Sequence, residues 1–140
     1  MEQMTRSELR VKIMTILYQI NIYAKNKIDY QVEHVIKEVL EVENEFVKDV
    51  VYGVITYQNE IDAIANRYLN NWTIDRLGNT DQAILRIGIY ELLYTSTPEI
   101  VAINEAIELA KSYSDDEVRK MINAVLDNVY HDKENKNESR

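Results

Sequence analysis

Within the run V-A-I-N-E-A-I-E-L-A-K-S-Y, residues 101–113, Glu105 and Glu108 stand one helical turn apart beside Asn104. The rest of the segment is mostly Ala, Ile and Leu. Two carboxylates at that spacing could hold a metal or share acid and base roles. Either chemistry needs partners that the sequence does not supply. Helical di-metal sites repeat Glu-x-x-His on facing helices, whereas His34 and His131 stand in no such pattern. No Ser-His pair has an identifiable third member, and three scattered glycines cannot build a phosphate loop. The absence of cysteine removes thiolate metal sites, disulfides and cysteine nucleophiles. The same residues read more simply as a docking helix. Ala102, Ala106 and Ala110 form a small-residue face that another helix can approach closely, widened by Ile103 and Ile107. Glu108 can pair with Lys111, which contributes a few tenths of a kcal/mol. A structural or docking role is therefore expected for both glutamates, with no catalytic residue, metal or cofactor.

The elements that must position these groups are helical. Three Gly and one Pro leave little turn chemistry for a β-protein. The spacing predicts a first helix over about 5–24, with one stripe of Leu9, Ile13, Ile16 and Ile20 and a second of Val11, Tyr18 and Ile22. Apolar on two sides, it is expected to be central. A second helix is expected over about 30–40 and a third over about 44–69, seamed by Phe46, Val50, Val54, Tyr57, Ile61, Ile64 and Tyr68. Gly53 inside the third predicts a close helix approach. The segment 71–81 reads as a packed junction carrying Trp72, Ile74 and Leu77, with Asn79 and Gln82 resembling a capping box. A helix apolar nearly all round follows over about 80–95. Pro98 marks the start of the next, and Ser114 to Glu117 resembles a second capping box ahead of a last helix. The expected fold class is all-α, with one domain over 1–130 made of sub-bundles at about 1–70 and 71–130. Residues 131–140 carry almost no apolar side chain and are expected to be a disordered tail.

Charge narrows the partner class. The net charge of −8 argues against indiscriminate nucleic-acid binding. Residues 1–27 nevertheless hold Arg6, Arg10, Lys12, Lys25 and Lys27 against only Glu2 and Glu8. A basic start on an acidic body permits a confined contact with an anion. Charges near the N-terminus interrupt any signal-peptide run, and no apolar stretch approaches the roughly 18 residues of a spanning helix. A cytoplasmic protein without membrane contact is expected.

Four blocks carry a resemblance: D-Q-A-I-L-R-I-G-I-Y-E-L-L-Y, P-E-I-V-A-I-N-E-A-I-E-L-A-K-S-Y, K-M-I-N-A-V-L-D, and the N-terminal T-R-S-E-L-R-V-K-I-M-T-I-L-Y-Q. With the N-W-T-I-D-R-L junction, the chain resembles the NusB family over nearly its whole length before the tail. The I-N-E-A-I-E-L-A-K block is the most specific part. The resemblance implies two packed three-helix bundles and no enzymatic activity. It implies a transcription antitermination factor that pairs with ribosomal protein NusE. The pair is expected to bind boxA RNA in ribosomal-RNA leaders and to join NusA, NusG and RNA polymerase. For RNA it points to Arg6, Arg10, Lys12, Tyr18, Tyr68 and Met121; for NusE it points to Asp81, Asn104 and Glu105. Ser7 and Glu8 dilute the family's arginine cluster. Met121 and Ala124 stand where relatives have Phe and Gly, and Gln82 where many have Arg, so RNA binding is expected to lean on NusE. The alternative is a helical docking or self-associating module that does not touch RNA. A monomer or homodimer is expected.

Overall fold

Thr5 and Glu8 start the first helix as a reciprocal cap. The Thr5 hydroxyl accepts from the Glu8 amide, and Glu8 accepts from the Thr5 amide. The S/T-x-x-E spacing of T-R-S-E announces this cap, so Glu8, expected only to dilute a basic cluster, organises the helix that carries it. The computed structural model describes residues 3–138, and among them it contains helices and no strand. These are α1 (Arg6–Lys25), α2 (Val32–Val39), α3 (Glu45–Tyr68), a 3-10 turn (Ile74–Arg76), α4 (Asn79–Tyr94), α5 (Glu99–Tyr113) and α6 (Asp116–Glu138).

The hub is α4, not α1. Every residue from Gln82 to Leu92 is buried, and α4 packs against α1, α3, α5 and α6. The first α1 stripe lies in the core, joined by Met14 and Leu17. The second does not: Val11 and Ile22 are half-buried and Tyr18 is exposed. A single apolar core runs through all six helices. The antiparallel pairing of α1 with α4 is fixed at both ends, by Arg10 on Glu91 and by Asn21 on Gln82.

Two glycines set the closest approaches. A Cβ on Gly53 would lie 2.1 Å from Tyr90 Cζ, so the α4 tyrosine ring fills the space over α3. A Cβ on Gly88 would lie 3.2 Å from that of Ala106, which is how the buried alanine face of α5 seats on α4. The expected α3 seam is interrupted at Tyr57, whose φ of −104° and ψ of 15° kink the helix and leave its ring exposed, stacked on Tyr94.

Both expected caps after the junction are replaced. Asn79 and Gln82 do not cap α4, which begins after Gly78 without a side-chain cap. Asn79 accepts from Asn21 and Lys25 of α1, and Gln82 donates to the Leu77 carbonyl, so both tie the junction to its surroundings. Asp115, not Ser114, caps α6 by accepting from the Val118 amide. Pro98 is the N-cap of α5, one place before its first helical residue. The largest departure is the tail. Residues 131–138 continue α6 as helix where disorder is expected, while residues 139–140 lie outside the described part. Lys133 explains the continuation. It donates to the Leu92 carbonyl at 3.1 Å and to Glu99 Oε1 at 2.9 Å, satisfying an end group of α4 and pinning α6 to α5.

Candidate nucleic-acid and partner interface

The start of α1 brings together groups from three helices. Arg6 is exposed, and its guanidinium carbon lies 4.0 Å from the centroid of the Phe46 ring at the start of α3. That cation–π contact restrains a cation that would otherwise sample many rotamers. One residue on, Ser7 donates to Glu105 Oε1 of α5 at 2.7 Å. Ser7 is therefore a tie between α1 and α5, a role its sequence position does not suggest.

Arg10, expected to meet RNA, is a buried structural cation instead. It is 3% exposed and grips the 1% exposed Glu91 with two hydrogen bonds of 2.7 Å, Nε to Oε2 and Nη2 to Oε1. Its Nη1 lies 3.6 Å from Glu105 Oε1, and Thr97 donates to Glu91 Oε1 at 3.1 Å. Burial opposes the guanidinium charge, but the Glu91 hydrogen bonds and the fields of Glu91 and Glu105 outweigh it and hold the pKa above its ordinary value. A side chain committed in this way offers no free fork to a phosphate. It carries the arginine-first-helix pattern inward and anchors α1 to the hub. The sequence signal for its partner is Glu91 itself, an acid set in the apolar run from Ile87 to Leu93 of that helix.

The other anticipated residues do not converge on this corner. Lys12 is half-buried further along α1, and Tyr18 is exposed 12 positions after Arg6, roughly 18 Å away at 1.5 Å per residue. Tyr68 closes the far end of α3, half-buried in a groove against α6. Met121 is half-buried on the second turn of α6. Asn104 is exposed on α5, next to Glu105 and so beside the Arg6 corner. Asp81 stands at the opposite end of α4, half-buried, where the Ser114 hydroxyl donates to it across the α5–α6 junction. Of the nine anticipated residues, only Arg6, Arg10, Asn104 and Glu105 share one place. Periodicity assigns Phe46 to a core seam, and only the tertiary fold pairs it with Arg6. Glu108 makes only an exposed pair with Lys111 at 3.4 Å. Among the described residues, no three His, Asp or Glu side chains cluster as metal ligands do, and no helix is long and apolar enough to cross a membrane.

Comparison with known proteins places these features in a lineage. The family model described as the NusB family matches residues 7–131. The transcription antitermination protein NusB of an Exiguobacterium species is 42% identical over 127 residues, covering 90% of this chain and 97% of that protein. The protein of the same name from Bacillus subtilis is 38% identical over 130 residues, covering 92% and 97%. Among solved structures, T. maritima NusB superimposes with a TM-score of 0.79 at 29% identity over 93% of both chains. A chain from a crystal structure of antitermination factors NusB and NusE in complex with double-stranded RNA superimposes with a TM-score of 0.77 at 27% identity, covering 90% of this chain and 96% of that one.

Proposed function

The chain belongs to the NusB family of transcription antitermination proteins, and from that membership we propose that it pairs with ribosomal protein NusE to bind boxA RNA in nascent ribosomal-RNA leaders. In this reading the pair joins NusA, NusG and RNA polymerase in the bacterial cytoplasm and suppresses premature termination. The protein binds and positions; it is not an enzyme. The observation that carries the reading on this chain is Arg6, an exposed guanidinium held over the Phe46 ring. It can take a phosphate at its edge or an unpaired base on its outer face. Lys12 and Tyr18 would contribute from other faces of α1, and Tyr68 and Met121 from separate helices. NusE is proposed to dock beside Asn104 and Glu105 and at Asp81. The Ser7–Glu105 hydrogen bond then joins the RNA-facing helix to the partner-facing one.

A titration of the protein with boxA RNA, with and without NusE, tests this. Affinity should rise at least tenfold with NusE and fall as salt rises. Arg6→Ala should weaken RNA binding while leaving NusE binding intact. If NusE leaves RNA affinity unchanged, the cooperative reading fails.

A further inference from the structure

The first turn of α1 is held less firmly than the turn that follows it. Arg10 anchors the second turn to the hub through Glu91, and both of those side chains are buried. Thr5, Arg6, Ser7 and Glu8 are all exposed, and the Thr5–Glu8 cap closes the first turn only on itself. Helix ends of this kind fray, opening at little cost in free energy. Among the described residues, the ties that lead from this turn to other helices are Arg6 on the Phe46 ring and the Ser7 hydroxyl on Glu105. Glu105 faces both ways. Its Oε1 accepts from Ser7 at 2.7 Å and lies 3.6 Å from Arg10 Nη1. Its Oε2 accepts no hydrogen bond among the described residues, and the side chain stays 24% exposed beside Asn104. One carboxylate thus holds α1 with one oxygen and offers the other to a partner seated on α5. Ser7, one of the two residues that thin the basic cluster, supplies the tie.

We infer that Ser7 and Glu105 are the positioning pair through which NusE tightens RNA binding. A donor from NusE on Glu105 Oε2 fixes that carboxylate, the fixed Oε1 holds Ser7, and the first turn of α1 stays closed with Arg6 over Phe46. This rests on the proposed function, in which NusE docks beside Glu105 and RNA meets Arg6. The two-state element is the first turn, docked or frayed, and both ligands favour the docked form. Their affinities are then linked without either ligand touching the other. A half-exposed carboxylate samples several rotamers, and a partner that has already ordered it leaves RNA less to order. Excluding water from the Ser7–Glu105 bond strengthens it in the same direction. Arg10 needs no such help, since Glu91 already fixes it.

Titrations of boxA RNA into the protein alone and into its preassembled complex with NusE give the gain as a ratio of affinities. Couplings between sites commonly reach about 5–150-fold, and about tenfold or more is expected in the wild type. Ser7→Ala should cut the gain to about threefold or less, while RNA affinity without NusE and NusE affinity without RNA each stay within about twofold of wild type. Ser7→Thr keeps the hydroxyl and should restore most of the gain, with circular dichroism confirming that both variants are folded. Hydrogen exchange reads the turn without RNA. NusE should slow exchange of the Glu8 and Leu9 amides, which bond to Thr5, in the wild type and not in Ser7→Ala. The inference is overturned if Ser7→Ala keeps the full gain, or if Ser7→Thr fails to restore it. It is also overturned if NusE leaves those amides unprotected in the wild type or protects them equally in Ser7→Ala. Loss of NusE affinity in Ser7→Ala overturns it too, by making Ser7 a contact residue. A wild-type complex that shows no gain would instead sink the functional reading on which the inference rests.

Discussion

Arg6 and Arg10 lie one turn apart on the same helix, yet they have opposite fates. Arg10 and Glu91 are both almost fully buried and doubly hydrogen-bonded. Arg10→Ala would leave the Glu91 carboxylate uncompensated in the core, and a loss of about 3–5 kcal/mol of stability is expected in urea unfolding. Replacing both members together, Arg10→Met with Glu91→Leu, should cost less than Arg10→Ala alone, because no charge is then stranded. Arg6→Ala should cost no more than about 1 kcal/mol, the scale of an exposed cation–π contact. A loss at Arg10 no larger than that at Arg6 would refute its structural assignment. Tyr90 supplies a pH signature. Burial, with Asp49 beside it, pushes its phenol from 10.0 up to about 12, and burial with Glu60 does the same for Tyr94. The folded state thus keeps protons that the unfolded chain releases, so this stabilisation is complete below pH 10 and is lost as pH rises towards 12. Denaturant midpoints should fall across that window, and fall less steeply in Tyr90→Phe.

At the level of the helices, α4 decides what its neighbours can do. Its Tyr90 ring occupies the space over Gly53, donating to Asp49 at 3.1 Å. Gly53→Ala gains about 1 kcal/mol of helix propensity, but its methyl would sit 2.1 Å from the ring. Displacing a packed ring from a core typically costs about 1–3 kcal/mol and here also breaks the Asp49 bond, so net destabilisation is expected. In a Tyr90→Leu background the same change should be close to neutral. A double-mutant cycle reads this directly, and additive costs would contradict the contact. The helix ends show where pattern reading succeeds and where it slips. T-R-S-E is a true cap because its partners are three residues apart and need nothing else. Asn79 and Gln82 have cap-like spacing but spend their side chains on α1 and the junction, since those tertiary acceptors and donors lie closer to hand.

At the scale of the whole molecule, one apolar cluster joins helices from before and after the junction, and α4 packs against α1, α3, α5 and α6. Cooperative unfolding is expected: the transition followed by far-ultraviolet circular dichroism should coincide with that of the single tryptophan, Trp72, which sits at the junction. Separate midpoints would mean that the two halves unfold independently.

Local pattern was enough for the helical class, the order and approximate extent of the helices, and the family, because each depends on short-range periodicity or on contiguous blocks such as I-N-E-A-I-E-L-A-K. It also placed the alanine face of α5 against another helix. Long-range packing had to select which cation faces solvent. A 3.6-residue repeat puts Arg6 and Arg10 on one flank, but only the arrival of Glu91 and Glu105 from distant helices draws Arg10 inward while Phe46 holds Arg6 at the surface. The C-terminal helix followed the same logic. The composition of residues 131–138 offers no core of its own, and their helical order depends on Lys133 finding Leu92 and Glu99, more than thirty residues away in sequence.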